Sequence, residues 1–562
     1  MNLATTKYSD KIGNNISLGN APEIIGGRVE VSAKPSFAYR IIRWLCRQIS
    51  ATWFREHGIV DEEWIPEEGG VLYAAWHPGS LIDPLLMLSL LPGQLTFVAK
   101  HTLFKTPLLG RFMRAAGAKP VYRRVDSESS EGGSKNANKG NSALIDTLSE
   151  VLSEGGRCAI YPEGISHLMS KPQKTKTGPA RIMLQAIREA DKTGSKRPAL
   201  VPVGLHYSDA NRFRERALVT VHPPMNLPAL PGEEGAPAPS KELLAEFDAE
   251  TAADRAWVQA VTNALSTELQ RTSQGLDSWE DKKLLWRARG LLSVHRNRAT
   301  GRKSRASYAE AVVGARRARA AWLWISDNDP GRAAKLKVGV SKHSEKMDKY
   351  NLKEYELYDR DKTPGPLDLI KAVGQIIWSW MWMAGLITWG AMIGSWPPYR
   401  ISGPIAQRMS IDEKHALGTY KIALGFMLLP LWWFIISFPV AFLLAAPSSP
   451  LWNLNLYGLL PLIKPYLMQI NWVLLAFVLM PLWSVAARLH LQLWRRSMRA
   501  LATLKRWLRL RQGEVPWDEL ADEQLALAKE LDEIGQALIL PGDKEWTAPA
   551  TGIDDYQCVV LR

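Results

Sequence analysis

Between Ile376 and Ala487 the chain runs through three long apolar segments, and no other feature restricts its fold so strongly. They read IIWSWMWMAGLITWGAMIGSW from Ile376, IALGFMLLPLWWFIISFPVAFLLA from Ile422 and LMQINWVLLAFVLMPLWSVAA from Leu467. A helix needs about 20 apolar residues to cross a hydrocarbon core, and each segment supplies that length. In lipid the backbone must satisfy its own hydrogen bonds, so such stretches fold as helices. The flanking basic residues then orient them. Arg400, Arg408, Lys414 and Lys421 lie between the first two segments, whereas only Lys464 lies between the last two. Arg488, Arg495, Arg496, Arg499, Lys505, Arg506, Arg509 and Arg511 follow the third, with no acid among them. A hairpin of segments two and three, with both basic flanks on the cytoplasmic side, satisfies this bias. The first segment carries five tryptophans and a basic upstream flank, so it is expected to be re-entrant or interfacial. Three full spans are the alternative.

The rest of the 562 residues divides by composition. Residues 1–34 are polar and rich in Gly and Asn, which predicts disorder. No apolar run occurs in the first fifteen residues, so no cleaved secretory signal is expected. Residues 35–64 hold Phe37, Ile41, Trp44, Leu45, Ile49 and Phe54 at roughly helical spacing among Arg40, Arg43 and Arg47. That segment reads as an interfacial amphipathic helix, or equally as a helix docked on the protein core. Residues 65–230 alternate short apolar runs (GVLYAAW, QLTFVAK, AKPVYR, RCAIYP, ALVPVGLHY) with helical patterns. Such alternation predicts an α/β domain with a largely parallel sheet and flanking helices. Residues 231–365 form a charged helical segment, in which ten Lys/Arg face one acid between Arg287 and Arg319. Residues 366–490 are the membrane region with two or three spans, and 491–562 a cytoplasmic tail containing an acidic amphipathic helix.

The net charge of +14 points to an anionic partner. No nucleic-acid-binding module is visible, so anionic membrane lipids or a phosphorylated substrate are expected instead of nucleic acid. Cys46, Cys158 and Cys558 are too scattered for a disulfide framework, and neither Cys nor His reaches metal-ligand spacing, so no metal is expected. The chain also lacks a G-x-S-x-G elbow, a P-loop and a G-x-G-x-x-G fingerprint.

Four stretches remain that could carry chemistry. In AAWHPGSLIDPLLM, His77 and Asp83 flank a Pro-Gly-Ser turn. A carboxylate beside a histidine fixes its tautomer and makes it a general base. Taken alone, the pair reads more readily as a buried histidine near an Asp83 N-cap followed by Pro84. From Pro84 to Val125 there is no acid, but there are seven Lys/Arg, ending in GAKPVYRR. A strand ending in arginine can aim a guanidinium at phosphate, while a basic face on the membrane explains the same residues. In IYPEGISH, a strand runs into Pro162, Glu163 and Gly164, where α/β proteins place working residues. An ordinary β-to-α turn is the alternative there. The fourth stretch, LVPVGLHY, says nothing alone.

In this order the four stretches resemble the glycerolipid acyltransferase superfamily over roughly residues 65–230. The motifs concerned are His77 with Asp83, Gly117 through Arg123, Pro162-Glu163-Gly164, and Val201 to Gly204. YPEGISH, KTGPARIML, VPVGLHY and RFRERALVTVHPP look most like the fungal-type glycerol-3-phosphate and dihydroxyacetone-phosphate acyltransferases. The five residues between His77 and Asp83, one more than the superfamily's usual four, are similar to that branch. Leu168 departs from it, since the branch tends to follow Ser-His with Asp. The resemblance implies a membrane-bound O-acyltransferase of phospholipid synthesis, at the endoplasmic reticulum or a bacterial inner membrane, with its catalytic domain on the cytoplasmic side. It implies His77 as base and Asp83 as its orienting partner, Arg123 on the acceptor phosphate, and Gly117, Glu163 and Gly164 around the acceptor. Acyl-CoA or an acyl carrier protein would be the co-substrate, with no cofactor. Lysophosphatidate or another lysolipid is the alternative acceptor, and a non-catalytic lipid-binding scaffold the alternative function.

Overall fold

The structure is a computed structural model that describes residues 35–105, 107–121, 133–301, 306–358, 365–383, 385–411, 413–448, 464–466, 468–512 and 515–562. Two compact units form. One holds the described residues up to Glu345 together with Gln524–Arg562, and the other Lys346–Glu523.

The first unit is built on a seven-stranded sheet. Its strands are β1 (Glu56–Val60), β2 (Val71–Ala75), β3 (Leu95–Lys100), β4 (Lys119–Val121), β5 (Arg157–Ile160), β6 (Ala199–Tyr207) and β7 (Arg216–Val221). The spatial order is β1-β7-β6-β2-β5-β3-β4, and every pairing is parallel except β6 with β7. The uninterrupted apolar run of β2 follows from its place: all five residues are buried, because helices cover both faces of a parallel sheet. β1 begins ahead of position 65, so the sheet takes in residues that the sequence groups with the preceding helix.

Helices α1 (Phe37–Trp53), α2 (Ile82–Leu90), α3 (Pro107–Ala115), α4 (Gly133–Ser153) and α5 (Gly178–Thr193) accompany these strands. The core joins Leu72 and Ala74 of β2, Leu148 and Leu152 of α4, Met183 and Ile187 of α5, and Leu200 of β6. Each of these Leu, Met and Ile side chains contributes roughly 1.5–3 kcal/mol on burial. α1 docks on the protein core through one face. Tyr39, Ile42, Cys46, Ser50 and Trp53 are buried. Arg43 donates to the Leu91 carbonyl at 2.6 Å and Arg47 to the Ser89 carbonyl at 3.1 Å, which clamps α1 to the end of α2. On the other face Phe37, Ile41 and Trp44 stay exposed.

Helices α6 (Lys241–Glu246), α7 (Ala249–Thr272), α8 (Trp279–Ala299), α9 (Tyr308–Asn328) and α10 (Pro330–Lys349) follow β7. α9 opens with a capping box between Ser307 and Glu310. The acidic helix α16 (Trp517–Ala537) is present, and the residues from Gln524 onward fold back into the first unit. Arg319 makes a two-pronged pair with Asp554 at 2.7 and 2.8 Å and donates from Nε to the Gly275 carbonyl. Arg316 pairs likewise with Asp555 at 2.6 and 2.8 Å.

The second unit contains α11 (Glu354–Tyr358), α12 (Pro366–Met383), α13 (Leu386–Met409), α14 (Leu417–Ala445) and α15 (Trp472–Gln512). Among the described residues two stretches, Lys414–Ala445 and Trp472–Arg509, are long and apolar enough to cross a membrane. α12 and α13 pass the same test only as a pair bent by 66°, either a broken third span or a re-entrant loop. α13 packs against its neighbours through small residues and tryptophans. The indoles of Trp432 and Trp433 donate to the carbonyls of Ile393 and Gly394 at 2.7 and 2.6 Å.

Removing the Asp554 carboxylate takes away the two-pronged partner of a buried guanidinium. Asp554→Ala is expected to destabilise the first unit by about 3–5 kcal/mol, read as an earlier thermal transition of the full chain in detergent. A shift no larger than that of a surface Asp→Ala variant would contradict this.

Candidate active site

β2, β5 and β6 lie side by side, and their carboxyl ends deliver the candidate residues to one place. Trp76 and His77 leave β2, and the Trp76 indole donates to the Leu205 carbonyl of β6 at 2.9 Å. The chain then turns through Gly79 and Ser80 into α2. Asp83 sits in the first turn of this helix, whose N-cap is Leu81. Its carboxylate is therefore not the cap that the Asp-Pro pair suggests. It bends back over the turn and accepts from His77 Nδ1 at 2.7 Å, from the Gly79 amide at 2.8 Å and from the Tyr207 hydroxyl at 2.7 Å. The Asp83 side chain is fully buried and that of His77 is 15 % exposed.

This arrangement assigns the protons. The Asp83 carboxylate accepts, so His77 carries its hydrogen on Nδ1 and keeps its lone pair on Nε2. The ring lies flat on Tyr161, with centroids 4.1 Å apart and planes at 10°. Burial, and next the Asp83 charge, raise Tyr207 well above the ordinary phenol range, so it stays a neutral donor. Its ring stacks on Phe54 at 5.9 Å, which ties α1 to the site. A buried carboxylate with three donors meets the requirement for keeping a charge away from water.

Glu163 follows β5 and is 2 % exposed. Its Oε1 accepts from the His77 amide at 2.8 Å, and its Oε2 from the Gln173 amide at 2.8 Å and from His167 Nε2. The Met169 amide donates to His167 Nδ1 at 3.2 Å, which places the His167 hydrogen on Nε2, toward Glu163. The carboxylate is thus spent inside the protein as a brace on the His77 backbone. Gly164 has φ +69, and a Cβ there would meet Lys176 Nζ at 2.5 Å. Lys282 of α8 lies over the Trp76 ring at 5.1 Å, and burial lowers its pKa to about 8.

His77, Asp83, Glu163 and Gly164 therefore converge. Gly117 does not join them within hydrogen-bonding range of any of these groups; with φ +81 it closes α3, its amide donating to the Arg114 carbonyl at 3.0 Å. Arg123 lies outside the described residues. Sequence reasoning missed Tyr161, Tyr207, Lys282 and the pairing of His167 with Glu163. Tyr161 and Tyr207 each stand at the exit of a recognised strand, which was the available signal. Lys282 comes from a helix with no motif.

Residues 56–206 match the family model described as Acyltransferase. A crystal structure of the 1-acyl-sn-glycerophosphate acyltransferase of Thermotoga maritima is similar at 16 % identity and a TM-score of 0.26, over 41 % of this chain and 79 % of that one. The comparison with curated proteins returned no match.

The turn between His77 and Asp83 holds its strain at Ser80, with φ 55, and not at Gly79, whose role is close approach. A Cβ on Gly79 would stand 2.6 Å from Asp83 Oδ1. Gly79→Ala is expected to cost about 1–3 kcal/mol, whereas Ser80→Gly relieves the left-handed residue and stays within about 1 kcal/mol of the parent. Thermal unfolding of the two variants side by side checks the contrast; equal losses would refute it.

Proposed function

We propose that the protein is a membrane-bound acyltransferase that moves a fatty acyl group from an acyl thioester to a hydroxyl of glycerol-3-phosphate or dihydroxyacetone phosphate. The observation that carries this reading is His77, with Nδ1 tied to a buried Asp83 and Nε2 unbonded among the described residues, inside the stretch that matches the acyltransferase model. Nε2 takes the proton of the acceptor hydroxyl as its oxygen attacks the thioester carbonyl. The new C–O bond forms, the C–S bond breaks, and the imidazolium returns the proton to the departing thiolate. Asp83 stabilises the imidazolium while it exists. Glu163 fixes the His77 backbone, and Gly164 keeps the turn narrow beside Lys176. Arg123 is assigned to the acceptor phosphate, where a guanidinium forms paired hydrogen bonds, with Gly117 in the turn that leads to β4.

The donor is acyl-CoA or acyl carrier protein, and the catalytic unit faces the cytoplasm at the endoplasmic reticulum or a bacterial inner membrane. Two span-length helices support membrane residence, and the lysine and arginine bias supports this orientation.

Full-length protein in lipid nanodiscs, given labelled acyl-CoA with glycerol-3-phosphate, dihydroxyacetone phosphate or lysophosphatidate, tests the acceptor. Transfer to lysophosphatidate alone would replace the acceptor named here, and no transfer to any of them would favour a lipid-binding scaffold. His77→Ala is expected to lower the rate by about 100- to 10,000-fold with membrane insertion intact; unchanged turnover would remove His77 as the base.

Single cysteines at positions 405 and 455 are expected to react with an impermeant reagent from opposite sides of the membrane. Labelling of both from one side would rule out the hairpin.

A further inference from the structure

In the second unit, α12 and α15 border an open cavity of about 560 Å³. Asp368, Lys371 and Ala372 line it from α12, and Arg496, Arg499 and Ala500 from α15. Spacings of three and four residues put each set on one helix face. Ala372 and Ala500 are buried, and such small side chains let the helices approach closely. The three cations stand exposed around them. Among the described residues none of the three forms an ion pair, and Asp368 accepts a hydrogen bond from the Gly365 amide instead. Three positive charges against one carboxylate make an anion site.

The surroundings narrow the anion. Leu367 and Ile370 are 70 % and 66 % exposed beside Lys371, and Trp494 and Met498 are exposed beside Arg496 and Arg499. A soluble phosphate compound has no use for apolar side chains exposed on the same two helices. A phospholipid has: its phosphate enters the basic cavity while its acyl chains lie along these side chains. α15 contains the span-length stretch Trp472–Arg509, and Arg496 and Arg499 follow its apolar part, which ends at Ala487.

We propose that this cavity binds the phosphate of an anionic phospholipid, gripped by Lys371, Arg496 and Arg499. Guanidinium groups suit it because their planar donors meet two phosphate oxygens at once. The orienting bias of basic flanks requires only their sign, whereas a cavity fixes where the headgroup sits. The proposal does not depend on acyl transfer.

Native mass spectrometry of the full-length protein in uncharged detergent tests it, with dioleoyl phosphatidic acid as probe and dioleoyl phosphatidylcholine as neutral control. K371Q/R496Q/R499Q is expected to weaken the first phosphatidic acid by about tenfold or more. R400Q/R408Q/K505Q removes equal charge outside the cavity and is expected to leave that binding unchanged. Thr503 of α15 also lines the cavity, and Thr503→Trp, which fills part of it without removing charge, is expected to weaken that binding as well. Inorganic phosphate in large excess is expected not to displace the lipid. Equal weakening in both triple variants, or full binding in the filled variant, would overturn the proposal as diffuse attraction. Displacement by inorganic phosphate would overturn it in favour of a soluble phosphate compound.

Discussion

The buried carboxylate of Asp83 is the interaction on which the candidate site depends. It receives hydrogen bonds from His77, Gly79 and Tyr207, which come from the exit of β2, the following turn and the end of β6. A carboxylate without these donors would be too costly to bury, and these donors without a carboxylate would be left unpaired. The arrangement is therefore mutually required. It sets the His77 tautomer, fixes the tight turn and links two neighbouring strands. The sheet order is what permits it, because β2 lies directly beside β6 although well over one hundred residues separate them in the chain.

A second carboxylate works on the other side of β2. Glu163 leaves β5 and holds the His77 amide, while His167 and the Gln173 amide hold Glu163. His77 is thus fixed through its ring by Asp83 and Tyr161 and through its backbone by Glu163. Farther out, the helices that follow β7 and the returning C-terminal segment are joined by Arg316 and Arg319 with Asp555 and Asp554. Asp555 feels burial first, which raises its pKa, but Arg316, Arg271 and Arg319 together bring it below its ordinary value. A depressed carboxylate of this kind adds stability above its unfolded pKa and loses it as pH falls through the folded value.

Much of the α/β unit was legible in the sequence. The runs GVLYAAW, RCAIYP and ALVPVGLHY are strands because parallel strands buried on both faces must be apolar throughout. β1 was not legible, since EHGIV is short, polar at its start and only half-buried at the sheet edge. β7 was seen only as part of a family-like stretch, since its antiparallel pairing with β6 has no local signature. Asp83 looked like a helix cap because Asp-Pro favours that position; the cap moved to Leu81 when three stronger donors took the carboxylate. Glu163 was legible as important but not as a brace, because its partners His167 and Gln173 reach it only after the loop folds back.

The sequence by itself determined the span-length helices and the strand and helix alternation, because each is written in local spacing and apolar length, and it brought His77 and Asp83 near each other without deciding that the carboxylate turns onto the ring instead of capping the helix. Tertiary structure alone decided that Tyr207 shares Asp83, that Tyr161 lies under His77, that Lys282 rests on Trp76, and that the C-terminal segment returns to the first unit. Those contacts join residues far apart in the chain, and they exist only once β2, β5 and β6 stand side by side.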